Sequence, residues 1–145
     1  MTAATEKSLC DALVTHLAAG TYSQAVSVEW APVRPATFGT LSTALVVLVP
    51  AAKAELGRSS GHIVEGHRVE MHVLKTLTGN TAALVAPLLQ LFQELADRAR
   101  SYVSGDASLR VTDAAAAPRP PCNLEHLTTG HEFYGVGALD CEVYR

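Results

Sequence analysis

The strongest constraint on the fold lies in the last residues of the chain, where apolar and polar side chains alternate with period two. From Phe133 onward the even side offers Tyr134, Asp140, Glu142 and Tyr144. The odd positions hold Phe133, Gly135, Gly137, Leu139, Cys141 and Val143. Because successive side chains of a β-strand point to opposite faces, this pattern predicts a strand with one face in a core.

Length and composition describe one globular domain. The chain has 145 residues, of which 48% are hydrophobic and 17% are charged. This length is close to the most common domain size and is enough to bury a sizeable core. We therefore expect a single domain over residues 1–145, and the low charged fraction suggests that some surface is hidden in an assembly.

Two segments show the periodicity of amphipathic helices. Leu9, Leu13 and Leu17 recur every four residues, and they predict a helix over about residues 4–19 with Gly20 as its cap. A second helix is predicted by one apolar stripe that consists of Leu84, Leu88, Leu91, Phe92, Leu95, Ala99 and Tyr102. Pro87 fits this helix near its first turn, because proline has no backbone N–H to donate.

Four more segments are typical of strands. The apolar run that ends at Pro50 predicts an interior strand covered on both faces. In three other segments apolar and polar residues alternate: 26–30, 69–73 with one side exposed, and 109–112. The resulting order is α-β-β-β-α-β-β. It favours an α+β fold with a mainly antiparallel five-stranded sheet and two helices packed on one face.

Two segments predict surface loops. KAELGRSSGH, from Lys53 to His62, is charged and rich in small residues, and AAAAPRPPC is rich in proline. Exposure and charge make five of their residues candidate interface residues: Lys53, Glu55, Arg58, His62 and Arg119.

Charge and cysteine content exclude several classes. A formal net charge of −3 provides no general attraction for nucleic acid or an anionic membrane. Cys10, Cys122 and Cys141 form no C-x-x-C pair, so neither a disulfide framework nor a zinc site is predicted, and a reducing compartment fits best. The longest apolar run, Ala44 to Ala52, is too short for a membrane span, and the charged N-terminal residues do not resemble a signal peptide.

Candidate catalytic and metal-ligating groups are isolated. His62, His67 and His72 are spaced by five, but His67 and His72 have opposite parity and would point to opposite faces of a strand. Asp140 and Glu142 share a face and could hold a divalent ion, although the solvated face of any strand gives the same pattern. We therefore predict no enzyme, no cofactor and no metal site. A small metal-dependent hydrolase that uses Asp140, Glu142 and a histidine stays an alternative.

Trp30 allows two interpretations. It lies on an alternating strand, which is typical of a core residue, and it precedes Arg34 and Pro35, which together could form an exposed contact for one partner. The first interpretation makes Trp30 structural. The second makes the chain an adaptor.

The whole pattern resembles the tail terminator, or tail completion, proteins of long-tailed bacteriophages. The resemblance rests on CDALVTHLAAGTYSQ, VSVEWAPV, LVVLVP, RVEMHVLK, LLQLFQELADRAR and NLEHLTTGHEFYGVGALDCEVYR, which cover nearly the full chain. It implies a structural virion protein that forms a homohexamer ring, ends the tail tube and joins the tail to the head-neck complex.

The resemblance also implies partners and a location. They are further copies of the chain, the tail tube protein and the head-tail connector or stopper protein, while genome DNA passes through the channel without specific binding. The protein would be assembled in the host cytoplasm and would reside in the tail or neck of the virion, away from membranes. A head-to-tail stopper, or neck protein, of the same connector is the nearest alternative.

Overall fold

A computed structural model describes residues 2–32, 43–59, 61–77, 82–105, 108–114 and 132–144. It contains two α-helices and five β-strands in these residues. The elements along the chain are α1 (Thr2–Ala18), β1 (Val26–Trp30), β2 (Ala44–Ser59), β3 (His62–Thr76), α2 (Ala82–Arg100), β4 (Leu109–Ala114) and β5 (Glu132–Tyr144).

Both predicted helices are present. In α1, Leu9, Leu13 and Leu17 are fully or almost fully buried, as their spacing predicts, and the Gly20 N–H donates to the Leu17 carbonyl just past the helix end. In α2 the helix begins at Ala82, so Pro87 lies in the second turn rather than near the first. Pro87 is exposed, and the helix continues past it because the following leucines are anchored in the core.

The five strands form one sheet in the order β1-β2-β3-β5-β4. The α+β class is confirmed, but the expectation of a mainly antiparallel sheet is wrong: β1 pairs parallel to β2, and the sheet is mixed. A parallel pair needs a crossover of about a dozen residues or more, and residues 31–43 between the two strands supply that length. The sheet order also differs from the chain order, because β5 lies between β3 and β4.

The main core lies between the two helices and one face of the sheet, called here the helix face. Leu9 and Leu13 of α1 belong to the same buried cluster as Phe92 and Leu95 of α2. The strands contribute Val46, Leu48, Val69, Met71, Val73, Val111, Phe133, Leu139 and Cys141 to it. The alternation of the final strand is confirmed, since every odd position from Phe133 to Val143 is buried.

The opposite face, called here the second face, is only partly exposed. Val47, Val49 and Leu74 form a small buried cluster on it, so β2 is covered on both faces between Ala44 and Val49, as predicted. The prediction that the polar side of β3 is exposed holds at Arg68 but is wrong at His72, which is fully buried.

The segment KAELGRSSGH is not a loop. β2 continues through it to Ser59 and pairs with β3, which begins at His62, so the two strands form one long hairpin. Gly61 adopts a φ of 75° in the tight connection, a conformation that glycine reaches without a steric penalty. The prediction that the second strand ends at Pro50 is therefore also wrong.

Pro50 is tolerated within β2 because of where its missing N–H would point. The Ala31 N–H donates to the Leu48 carbonyl at 2.9 Å, so Leu48 directs its backbone groups toward β1. Residues two apart in a strand face the same edge, which places Pro50 on the side where β1 has ended at Trp30. The strand then shifts register between Pro50 and Ala52 and continues along β3.

Leu48 and Leu56, both in β2, test where the core ends and the exposed part of the hairpin begins. Leu48 is fully buried and Leu56 is 58% exposed. We expect Leu48→Ala to lower the free energy of unfolding by about 2–5 kcal/mol through lost burial and a cavity. The matched variant Leu56→Ala should change it by about 0.5 kcal/mol or less. Urea unfolding followed by circular dichroism measures both, and equal losses would contradict the placement of Leu56 outside the core.

Candidate interaction surfaces

β2 runs beyond the end of β1, and residues 51–66 at this end of the hairpin are called here the hairpin tip. Each residue from 51 to 58, taken with its backbone, is exposed. The tip contains Lys53, Glu55, Arg58 and His62, four of the five predicted interface residues. Arg119, the fifth, lies outside the described residues. Their role in an interface stays a prediction.

The charged residues of the tip are not equally free to meet a partner. Lys53 Nζ lies 3.1 Å from Glu65 Oε2, and its side chain is only 25% exposed. The Arg58 guanidinium donates to Glu55 at 3.0 Å, but these side chains are 66% and 47% exposed. A surface pair of this kind contributes little to stability, so Arg58 can exchange Glu55 for another carboxylate at small cost. His62 is exposed beside the turn.

A buried ionic group sits at the base of the tip on the helix face. The Glu65 carboxylate, 7% exposed, contacts Lys53 and lies 3.4 Å from His67 Nε2. His67 pairs across the sheet with Cys141 of the core, whereas His72 lies on the second face. The opposite orientation expected for His67 and His72 is thus confirmed. No local pattern in the sequence indicates that Glu65 is buried.

Ion pairs cross the exposed part of the second face. Arg68 of β3 donates to Asp140 of β5 at 3.0 Å, and Arg110 of β4 contacts Glu142 of β5 at 2.6 Å. The Tyr144 hydroxyl donates to the same Glu142 carboxylate at 2.8 Å. Asp140 and Glu142 are therefore engaged by different arginines. Within the described residues no three His, Cys, Asp or Glu side chains are grouped as metal ligands.

The contacts of Glu142 predict a pH dependence. Hydrogen bonds from Arg110 and then Tyr144 lower the pKa of Glu142 below its ordinary value of 4.5. A lowered pKa in the folded state gives a stabilisation that is present above pH 4.5 and is lost as the pH falls through the folded-state pKa. We expect Arg110→Ala to raise the pKa of Glu142 and to flatten this acid dependence.

Carboxyl carbon NMR titration measures the pKa of Glu142, and urea unfolding from mildly acidic pH down through the folded-state pKa measures the stability. Tyr144→Phe is the matched control, because it removes only the second hydrogen bond and should raise the pKa less than Arg110→Ala does. An unchanged pKa in the Arg110 variant would show that the pair does not form in solution.

A groove runs along the second face beside these ion pairs. Its volume is about 490 Å³, and its floor consists of Val136, Gly137 and Ala138. Its sides are Arg68, Glu70, Asp113 and Asp140. A neighbouring depression of about 340 Å³ shares Arg68 and Asp140 and reaches Leu56 of the hairpin tip. The two depressions together connect the middle of the second face to the tip.

Asp113 has an unusual position in this groove. It lies directly across from Asp140 in the pairing of β4 with β5, after a register shift, and like charges in directly opposed positions repel. Asp140 has Arg68 beside it. Among the contacts of the described residues, the Asp113 carboxylate accepts only the backbone N–H of Ala114, at 2.9 Å. The groove therefore presents a carboxylate that lacks a cationic partner in this part of the chain.

A buried polar network borders the groove. The fully buried His72 contacts the Glu70 carboxylate through Nε2 at 3.0 Å and the Tyr134 hydroxyl through Nδ1 at 2.8 Å. With Nε2 protonated and Nδ1 accepting from Tyr134, the neutral imidazole satisfies both contacts. The alternating sequence suggests a solvated side chain at His72, and only the cross-strand placement of Tyr134 reveals the network.

The cysteines of the described residues are structural. Cys10 and Cys141 are free thiols in the core, as their apolar positions predict. Burial, with a smaller effect of Asp140, raises the pKa of Cys141 to about 12. A thiol with so high a pKa is almost entirely protonated at neutral pH and is a poor nucleophile.

This pKa predicts slow thiol chemistry. In a Cys122→Ser variant, which leaves Cys10 and Cys141, we expect almost no reaction with Ellman's reagent at mildly alkaline pH while the protein is folded. Both thiols should react rapidly in urea. Rapid labelling of Cys141 in the folded protein, identified by mass spectrometry, would contradict its burial.

Trp30 is half-buried and packs against the main core, which favours its structural interpretation. Arg34 and Pro35, the other residues of the adaptor alternative, lie outside the described residues.

Comparison with protein-family models and with curated protein sequences found no match. Among the described residues, no helix is both long and apolar enough to cross a bilayer.

Proposed function

We propose that the chain is a structural virion subunit that forms a ring, ends the tail tube of a long-tailed bacteriophage and joins the tail to the head-neck complex. The observation that carries this proposal is the hairpin tip, where β2 runs past the end of β1 and residues 51–58 are exposed. The resemblance of the sequence to tail terminator proteins supplies the biological setting.

An exposed hairpin is well suited to contact a neighbour. Ordering its backbone costs conformational entropy, and only part of that cost is offset by burial within the chain. Leu56, 58% exposed at the tip, is an apolar side chain that a partner would remove from water. In a ring, each copy offers one patch to a different patch on the next copy, so a projecting element and a receiving surface are both needed.

The ionic groups of the second face support a structural role. Asp140 and Glu142, the carboxylates of the hydrolase alternative, each have an arginine partner. Arg68 and Arg110 neutralise charges that a divalent ion would otherwise bind. The same pairs link side chains of β3, β5 and β4 across the sheet.

The partners follow from the proposed position. One side of the ring meets the tail tube protein and the other meets the head-tail connector or stopper protein, with no cofactor and no chemical step. Genome DNA passes through the opening, and a net charge of −3 suits a channel that does not hold phosphates, since dense Lys and Arg contacts would retard the polymer. The virion is the final location, after assembly in the host cytoplasm.

Negative-stain electron microscopy of the purified protein with tail tubes tests the proposal. We expect rings at one end of each tube and an arrest of tube growth, because the bound ring presents a different surface to the next tube subunit. A head-to-tail stopper would instead bind the head-side connector and leave tube length unchanged. A protein that neither forms rings nor binds tubes would contradict both assignments.

A further inference from the structure

We propose that β2 is protected against the addition of a further β-strand beyond the point where β1 ends. The protection consists of Pro50, a bulge at Ala51, a second bulge at Leu56 and charged side chains along the edge. It is a device of the fold itself, and this inference does not depend on the proposed ring.

The far half of β2 needs such protection because of how the sheet is built. β1 pairs with β2 only as far as Leu48, and among the described strands only β3 lines β2 from Pro50 to Ser59. Residues 51–58 are exposed. An exposed strand edge is a template for pairing with another chain, so a regular edge of this length would invite sheet growth.

The orientation of the backbone along this edge follows from one hydrogen bond and the register. The Ala31 N–H donates to the Leu48 carbonyl, so Leu48 directs its backbone groups toward β1 and away from β3. Residues with this orientation are called here edge positions. In a regular strand they recur at every second residue, and Pro50 is the next one. Proline has no N–H, so the first edge position beyond β1 offers no donor.

The two bulges then break the spacing of the edge positions. The first inserts Ala51 into β2 against β3, and the second inserts Leu56. Beyond the proline, the edge positions are therefore Lys53, Glu55 and Arg58. A regular incoming strand bonds at every second residue, and only Lys53 and Glu55 keep the spacing that it needs.

Charge opposes strand addition at the same places. All three edge positions beyond the proline carry a charged side chain: Lys53, Glu55 and Arg58. The Arg58 and Glu55 side chains are 66% and 47% exposed, and an incoming strand would take both out of water at a cost in free energy. The residues that resemble a loop in the sequence thus form an edge that rejects a strand, and a partner must meet the hairpin tip through side chains.

Two proline substitutions test the edge positions. Glu55→Pro removes an N–H that points away from β3, whereas Ala54→Pro removes one that points toward β3. We expect Ala54→Pro to lower the midpoint of urea unfolding clearly and Glu55→Pro to lower it much less, because only the first breaks the ladder. Equal losses would overturn the proposed edge positions.

Amide hydrogen exchange of the unaltered chain, followed by NMR in dilute solution, is an independent measure. We expect slow exchange at Ala54, whose N–H bonds to β3, and fast exchange at Glu55 and Arg58. Slow exchange at both Glu55 and Arg58 would mean that another segment lines this edge, and it would overturn the proposal.

A variant with a regular edge tests the protection itself. It carries Pro50→Thr and lacks Ala51 and Leu56, so edge positions recur at every second residue while every pairing with β3 is kept. We expect a severalfold rise in thioflavin T fluorescence from strand-paired assemblies of this variant, and no rise for the unaltered chain. The deletions remove apolar side chains, so added hydrophobic surface does not explain such growth. A ring held by side-chain contacts would not raise this signal.

Adding Glu55→Pro to the regular-edge variant is the matched control, because it removes an edge N–H and leaves the ladder with β3 intact. The fluorescence should return to the level of the unaltered chain, and circular dichroism checks that each variant folds. A folded regular-edge variant without the signal, or a signal that survives Glu55→Pro, would overturn the proposal. If the regular-edge variant does not fold, the proline pair and the exchange rates decide.

Discussion

The structure depends on the pairing of β3 with a long partner on each edge. β2 follows β3 from Leu45 to Ser59, and β5 follows it from Glu132 to Tyr144. This ladder fixes which residues face the helices, since one step of register would move Val69 and Met71 from the core to the second face. The helices then need only supply one apolar stripe each, and their leucines complete the core.

The same ladder creates the surfaces on which the proposed function rests. Because β2 continues past the end of β1, its far half is carried by β3 alone and emerges as the hairpin tip. Because β5 lies between β3 and β4, the arginines of both neighbours reach its carboxylates, and a groove remains beside them. Projection and groove are thus consequences of strand length and strand order.

Much of this fold can be predicted from the sequence because its elements carry strong local periodicity. The α1 leucines and the alternating β5 positions predict the correct elements, since the period of burial matches the period of the structure. Local pattern misses the hairpin because Gly57, Pro50 and the charged residues around them are typical of loops. The Ser-Gly dipeptide that ends at Gly61 is the available sign of a tight turn, and Gly61 does adopt positive φ.

The candidate site is less predictable, since its features arise from contacts across strands. Nothing near Asp113 in sequence indicates that Asp140 lies opposite it, and the burial of His72 depends on its partners Glu70 and Tyr134. The parallel pairing of β1 with β2 is likewise not encoded in the local pattern of either strand. Which distant segments pair with each other is determined by the whole sheet. The periodicity of a single segment does not contain this information.

Cryo-electron microscopy of the protein assembled on a tail tube tests whether the chain works through its shape, as a ring subunit. We expect a closed ring in which residues 51–58 of every copy contact the next copy. A ring with these residues in solvent would contradict the role given to the hairpin, and particles without any ring would contradict the structural function as a whole.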